Sequence, residues 1–391
     1  HTEVGYFPPF ANQGGVDFQR NGVTITDEGY ETFLLADEAS RWIENRNTEK
    51  PFFLYMPFIA PHTPLEAPED LVKKYSDLED LRLPTRSASV DRIRSLSSTP
   101  SARPIYAAVV DALDQAIGQV LATLESEGID EETIILFSSD NGGATYGGGG
   151  GDNFPLRGGK GETYEGGIKV IAALRWKGKI APQTNFSSIM TMMDVFPTLA
   201  GATNIPMMNT KKLWGRDMWS AINNSKNIPL TQELFVAAET PNYGQFHTTV
   251  FNEKWKLVQV ISSSLMEVNV NNQLFDIRND PNEYKNLAAE YPKLVELMAD
   301  KIRRWRALHP ISGIRAQLVP PPGWRAPKDW TSYTIPLNEL QDDASLGFGA
   351  HAHQILDYLI KDHGRIIYDC KPGDWERGKC KAPEQSQKHQ H

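Results

Sequence analysis

Cysteine is nearly missing from this chain. Its 391 residues contain two, Cys370 and Cys380, both close to the C-terminus. Two thiols exclude a disulfide-stapled scaffold, and they cannot complete a zinc site without added ligands. They bound a segment containing Pro372 and Gly373. Either a disulfide closes that loop, which implies an oxidising compartment, or two reduced thiols sit there. A surplus of positive charge is missing too. Forty Lys and Arg against 49 Asp and Glu give a formal net charge of −9. That balance argues against a nucleic-acid partner, and an anionic substrate would need local cations. No apolar run reaches the roughly 18 residues of a membrane span. No methionine opens the chain, which starts His1-Thr2-Glu3. The start is read as processed or truncated, so the lack of a signal peptide carries no information on compartment.

What is present has the make-up of a soluble globular protein, 40% hydrophobic and 23% charged. The length suffices for one large core and a smaller module. The organising stretch is Thr133-Ile134-Ile135-Leu136-Phe137, followed by Ser138-Ser139-Asp140-Asn141-Gly142-Gly143. A continuous apolar run ended by a turn signal predicts a strand buried on both faces of a parallel sheet. In open α/β sheets, ligands sit beyond the carboxyl ends of strands. Asp140 and Asn141 fall there and offer oxygen atoms suited to calcium, with magnesium as the alternative. The same residues also make an ordinary Asp-Asn-Gly turn.

Upstream, apolar spacing predicts a helix from Thr26 or Asp27 to about Asn45. The run 51–59 reads as a second fully apolar strand. It leads into Ala60-Pro61-His62-Thr63-Pro64, where prolines stiffen the loop around His62. Residues 69–103 read as an irregular surface excursion, and 105–127 as a helix with Gly128 at its C-cap. The glycine-dense stretch 147–167 carries Arg157, Lys160, Glu162 and Glu165 before a further strand, 168–174. Among glycines, Lys160 can approach an oxyanion as a point charge. The spacing is not that of a phosphate P-loop. Residues 191–199 read as a short helix. Short strands at 234–238, 246–251, 255–260 and 274–277, then a helix over 292–308, predict a small α+β module. The Pro- and Trp-rich residues beyond 309 read as a wrapping arm with a polar tail.

Taken together, these stretches resemble the type I sulfatase family, near the arylsulfatase and N-acetylgalactosamine-4-sulfatase branch. The residues that carry the likeness are Ala60-Pro61-His62-Thr63-Pro64, Ser139-Asp140-Asn141-Gly142-Gly143, Pro155-Leu156-Arg157-Gly158-Gly159-Lys160, Glu165-Gly166-Gly167, Asn252-Glu253-Lys254-Trp255-Lys256-Leu257, and Leu274-Phe275-Asp276-Ile277 with Asp280-Pro281. They span about residues 27–308. The resemblance implies an alkaline-phosphatase-like α/β fold, a mixed sheet flanked by helices, with a smaller C-terminal antiparallel sheet and helix. The implied division is 1–230 catalytic, 231–308 C-terminal module and 309–391 extension. It also implies calcium held partly by Asp140 and Asn141, and Lys160 and His62 touching the sulfate ester of a sulfated small molecule or glycan. An extracytoplasmic location goes with that reading.

One departure is equally informative. The family's nucleophile motif, Cys-x-Pro-x-Arg, whose cysteine becomes formylglycine, does not occur here. Neither Cys370 nor Cys380 has an arginine at the right place, and the family's first strand with its paired aspartates is absent. The expectation is a fragment, or one chain of a cleaved enzyme, whose missing N-terminal segment supplies the nucleophile; this chain alone would be inactive. The alternatives are a catalytically dead homologue that binds sulfated glycans, and a phosphodiesterase or phosphonate hydrolase of the same superfamily.

Overall fold

The structure, a computed structural model, describes residues 6–8, 18–21, 23–63, 65–78, 103–145, 150–207, 211–240, 245–263 and 268–308. The expected arm and tail after 309, the Cys370–Cys380 bridge and most of the 69–103 excursion lie outside the described residues.

The first layer is helical. After a minimal hairpin of β1 (Gln19–Arg20) and β2 (Val23–Thr24), α1 spans Glu31–Glu44, α2 Glu69–Lys74 and α3 Arg103–Ser126. The N-cap of α1 lies three or four residues later than the predicted Asp27 or Thr26. Tyr30 takes the N-cap position with no side-chain cap, its ring stacked at 5.5 Å on Tyr6. Aromatic packing sets this boundary rather than a capping hydroxyl. Ala108, Ala112 and Ala116 lie on one face of α3 and are fully buried. Their small side chains let α1 approach, and Thr123 Oγ1 donates to Ser40 Oγ at 3.0 Å across the seam. Among the described residues α3 is long and apolar enough to cross a membrane, but here that buried face belongs to the fold's own core.

The predicted central strand forms as β3 (Ile135–Ser138) but not in the predicted surroundings. It pairs antiparallel with β4 (Ala172–Arg175), with Ile135 opposite Arg175 and Ser138 opposite Ala172. Leu136 and Phe137 remain 38% and 40% exposed. A run can be buried on both faces only when neighbouring elements cover both, and among the described residues β4 is the one strand beside it. For the same reason 51–59 is extended yet is no strand: nothing pairs with it among the described residues, and Phe53 and Tyr55 are 78% and 73% exposed. The strand expected over 168–174 begins with a helical turn, α4 (Glu165–Ile168), so β4 starts only at Ala172. Helix α5 (Met192–Ala202) opens on a reciprocal Thr191–Asp194 capping box, and α6 spans Trp219–Asn223.

The C-terminal part is a four-stranded antiparallel meander, β5 (Leu234–Thr240), β6 (Gln245–Phe251), β7 (Trp255–Ser263) and β8 (Val268–Asp276), followed by α7 (Pro292–Arg306). Side-chain alternation gives the sheet two covered faces. Val250, Leu257 and Leu274 point at Met298 and Ile302 of α7. Val258, Val260 and Phe275 point the other way and pack on Tyr164, in the glycine-dense loop before α4.

Candidate active site

The sequence places chemistry at three separated loops, and the fold brings them to one cleft. This open cleft, about 2930 Å³, is lined by His62, Asp140, Asn141 and Lys160 together. Residues 51–59, β3, Ile171 and the α5 side chains Met192 and Phe196 make its apolar walls. Met192, Phe196 and Ile171 are 69%, 59% and 78% exposed, so these walls face solvent.

Backbone hydrogen bonds fuse the Asp140 and Lys160 loops into one unit. The Gly142 N–H donates to the Gly167 carbonyl at 2.9 Å, and the Lys160 N–H to the Gly143 carbonyl at 3.2 Å. Asn153 brackets the same turn. Its Oδ1 accepts from the Gly143 N–H at 2.8 Å, and its Nδ2 donates to the carbonyls of Gly143 and Gly158 at 2.9 and 3.1 Å. Glycine is required at the crossing: a Cβ on Gly142 would lie 1.7 Å from the Gly166 carbonyl oxygen.

His62 is exposed at the cleft, and its carbonyl accepts from the Tyr6 hydroxyl at 2.8 Å. Its Nδ1 sits 2.5 Å from the Thr63 carbonyl oxygen. A ring nitrogen facing a carbonyl carries the proton, which leaves Nε2 as the atom free for chemistry. Lys160 is half-buried, and Lys169 lines the same cleft. No ion pair ties up either ammonium among the described residues, so both remain available to an anion. Glu31 also borders the cleft; burial pushes its carboxyl up to about 7.

The donors for a metal are fewer. Asp140 and Asn141 supply two oxygen-bearing side chains, and no group of three His, Cys, Asp or Glu suited to a metal occurs among the described residues. Calcium takes six to eight oxygens. The pair therefore fits as part of such a shell, not as a whole one.

A sequence model of the Sulfatase family matches residues 3–205. The chain belongs to the sulfatase family. It is 29% identical over 299 residues to a sulfatase of Formosa agariphila, covering 70% of this chain and 50% of that protein. It is 28% identical to the uncharacterised Escherichia coli sulfatase YdeN, covering 73% and 52%. The chain thus spans about half the length of these curated relatives. Among solved structures, Ps i-CgsB superposes with a TM-score of 0.60 at 25% identity over 82% of this chain and 63% of that one. The same protein has been crystallised with k-i-k-neocarrahexaose. These neighbours, and the Bacteroides fragilis protein yidJ, which shares the fold at a TM-score of 0.57, bear out the alkaline-phosphatase-like α/β class.

Two arrangements of residues around the cleft are not read from the sequence. Asn153 and Lys169 sit beside recognised motifs, and only the Asp-Asn-Phe-Pro turn signal hinted at the first. The second group is a buried charged cluster behind the loop. Lys256 Nζ, wholly buried on β7, donates to Glu165 Oε1 at 2.9 Å and lies 2.8 Å from Glu283 Oε1. Burial pushes the Glu283 carboxyl up, and Lys256 opposes that shift. Next to it Arg157 stacks on Tyr164 with its guanidinium carbon 4.1 Å from the ring centroid. His247 meets Tyr164 edge-on, and burial lowers its pKa to about 4.

Proposed function

We propose that this chain is the larger part of a sulfuric ester hydrolase acting on a sulfate monoester of a sulfated carbohydrate, in an extracytoplasmic compartment. The observation that carries the reading is the gathering of His62, Asp140, Asn141 and Lys160, from three separate loops, on one cleft. Lys160 supplies a compact positive charge to the ester's sulfate oxygens, where charge develops in the transition state. With the Nδ1–H engaged by the Thr63 carbonyl, the doubly protonated His62 ring gives its Nε2 proton to the departing alkoxide and is left neutral with Nε2 bare. Asp140 and Asn141 contribute oxygens to a calcium shell, with magnesium as the alternative. When bound, the cation neutralises sulfate charge and polarises the ester. The remaining carboxylates of such a shell and a formylglycine nucleophile are not supplied by the residues of this sequence that carry the likeness. The sugar assignment draws on the carrahexaose complex of the structurally similar Ps i-CgsB.

The test begins with the upstream coding sequence, which must contain Cys-x-Pro-x-Arg or its Ser variant in frame. In the resulting full-length protein, Lys160→Ala should lower sulfatase kcat/KM by about 2–4 kcal/mol of transition-state stabilisation. His62→Ala should slow substrates with poor leaving groups most. Asp140→Ala should abolish metal-dependent turnover. Retained activity with unchanged calcium content in Asp140→Ala overturns the metal role. No nucleophile motif, with sulfated oligosaccharide still bound, identifies a dead binding homologue instead. Turnover of phosphodiesters but not sulfate esters identifies a different hydrolase of the superfamily.

A further inference from the structure

We infer that Lys256, with Glu165 and Glu283, is a positioning group that fixes the active-site loop from behind, tying the geometry of Asp140 and Lys160 to the C-terminal sheet. The inference rests on the sulfatase-site reading of that loop. Glu165 opens α4, and the two residues after it carry backbone contacts to the loop. The Gly166 N–H donates to the Arg157 carbonyl at 2.7 Å, and the Gly167 carbonyl accepts the Gly142 N–H. Gly142 directly follows Asn141. An unbroken series of short contacts therefore runs from Lys256 on β7 through Glu165 to the Asp140 turn.

Glu283 closes the arrangement from the other side. Its Oε2 accepts the backbone N–H of Glu165 at 2.7 Å, while its Oε1 faces Lys256. The same residue's carbonyl accepts from the Arg157 guanidinium at 3.4 Å, reaching the other strand of the loop. Glu283 is fully buried and holds φ at +58°, a left-handed conformation costly for a side-chain-bearing residue. A glycine would suit that backbone, so the carboxylate's contacts are what the position retains. A lysine buried at zero exposure is equally expensive unless its partners are fixed. Both costs fall where the loop meets the sheet, beside the Tyr164 packing.

Amide hydrogen exchange on the full chain tests this, comparing wild type with Lys256→Met, Glu283→Gly and Glu283→Gln. In Lys256→Met and Glu283→Gly, the amides of Gly142, Gly166 and Gly167 should exchange roughly tenfold faster or more, while those of Leu257 and Val258 stay within about twofold. Glu283→Gln keeps the side-chain bulk but turns an amide NH2 toward either Lys256 or the Glu165 N–H, so Gly166 and Gly167 should still exchange faster than in wild type. Wild-type exchange in this variant would show that bulk rather than the carboxylate holds the loop, and overturns the inference. Unchanged loop exchange in both disruptive variants overturns the inference, as does equal loosening of loop and sheet. Should Lys256→Met not fold, Glu283→Gly decides, because glycine fits that φ. The exchange needs neither metal nor turnover. A chain without sulfatase activity would still give one pattern or the other, so failure of the functional reading and failure of the positioning role are told apart.

Discussion

Strands β3 and β7 make an instructive pair. The run leading into β3 is the more apolar, Ile134-Ile135-Leu136-Phe137, whereas β7 begins Trp255-Lys256-Leu257 and carries a charge. Yet β3 leaves Leu136 and Phe137 over a third exposed, and β7 buries Lys256, Leu257, Val258 and Ile261 completely. The difference lies in the neighbours. Strand β7 is central in its sheet, with α7 over one face and the Tyr164 loop over the other. Strand β3 has β4 on one edge and an open cleft over it. Burial is a property of the layers around a strand, and the strand's own hydrophobicity only makes it eligible.

The largest expected effect tests that contrast directly. Leu257→Ala removes a fully buried side chain between β6, β8 and α7, and should cost about 2–5 kcal/mol. Phe137→Ala deletes a bigger side chain but one already 40% exposed, and should cost under about 1 kcal/mol. Urea unfolding of both variants reads the comparison. A Phe137 cost equal to that of Leu257 would show that β3 is covered in solution and that its open face is not real.

The two halves should also respond oppositely to pH. His247, on the sheet side, is held neutral with a pKa of about 4 against an ordinary 6.5. Below pH 6.5 the unfolded chain binds a proton that the folded chain refuses. Stability therefore falls as pH drops from 6.5 toward 4, by about 2 kcal/mol at pH 5. Glu31, beside the cleft, has its pKa raised from 4.5 to about 7. It keeps its proton when folded and loses it when unfolded, so its contribution is full below pH 4.5 and is lost as pH rises through 7. That loss reaches about 3 kcal/mol at most. Between pH 4.5 and 6.5 the two slopes oppose each other in the wild type, and the variants separate them. His247→Phe should flatten the acid limb, and Glu31→Gln the limb above pH 4.5, in denaturant midpoints measured from pH 4 to 8. If neither variant changes the profile, other groups govern the acid response.

The same contrast explains what the sequence discloses. The four C-terminal strands and α7 are legible because turn residues punctuate short β-branched and aromatic runs, and pairing between sequential strands follows from short connections. Asp140 is legible as a strand-to-loop transition, His62 by the prolines around it, and Lys160 by the glycines around it. Lys256 is not. Alternation places it on the face opposite Leu257, which reads as a solvent face, and nothing local says that the Glu165 loop covers it. The late start of β4 escaped as well, because the helical turn at Glu165-Gly166-Gly167 has its first N–H held by Glu283, a partner far away in sequence. Contacts between residues more than a hundred positions apart, such as Arg157 with Glu283, leave no periodic trace.

The smallest expected effect bears on the open cleft itself. Tyr55 is 73% exposed, in an extended segment without a strand partner among the described residues. Its substitution by serine removes little that is packed, so Tyr55→Ser in this chain should change stability by less than about 0.5 kcal/mol. The proposed function makes this number depend on context. If polypeptide preceding this sequence fills the cleft, the 51–59 run becomes a paired, covered strand. The same substitution in the longer protein then costs on the order of 2–4 kcal/mol, as truncation of a buried aromatic does. Denaturant melts of Tyr55→Ser in both lengths give two values whose difference is the coupling. A cost below about 0.5 kcal/mol in both would leave Tyr55 facing solvent in the longer protein too, and the added segment would have to seat elsewhere than against residues 51–59.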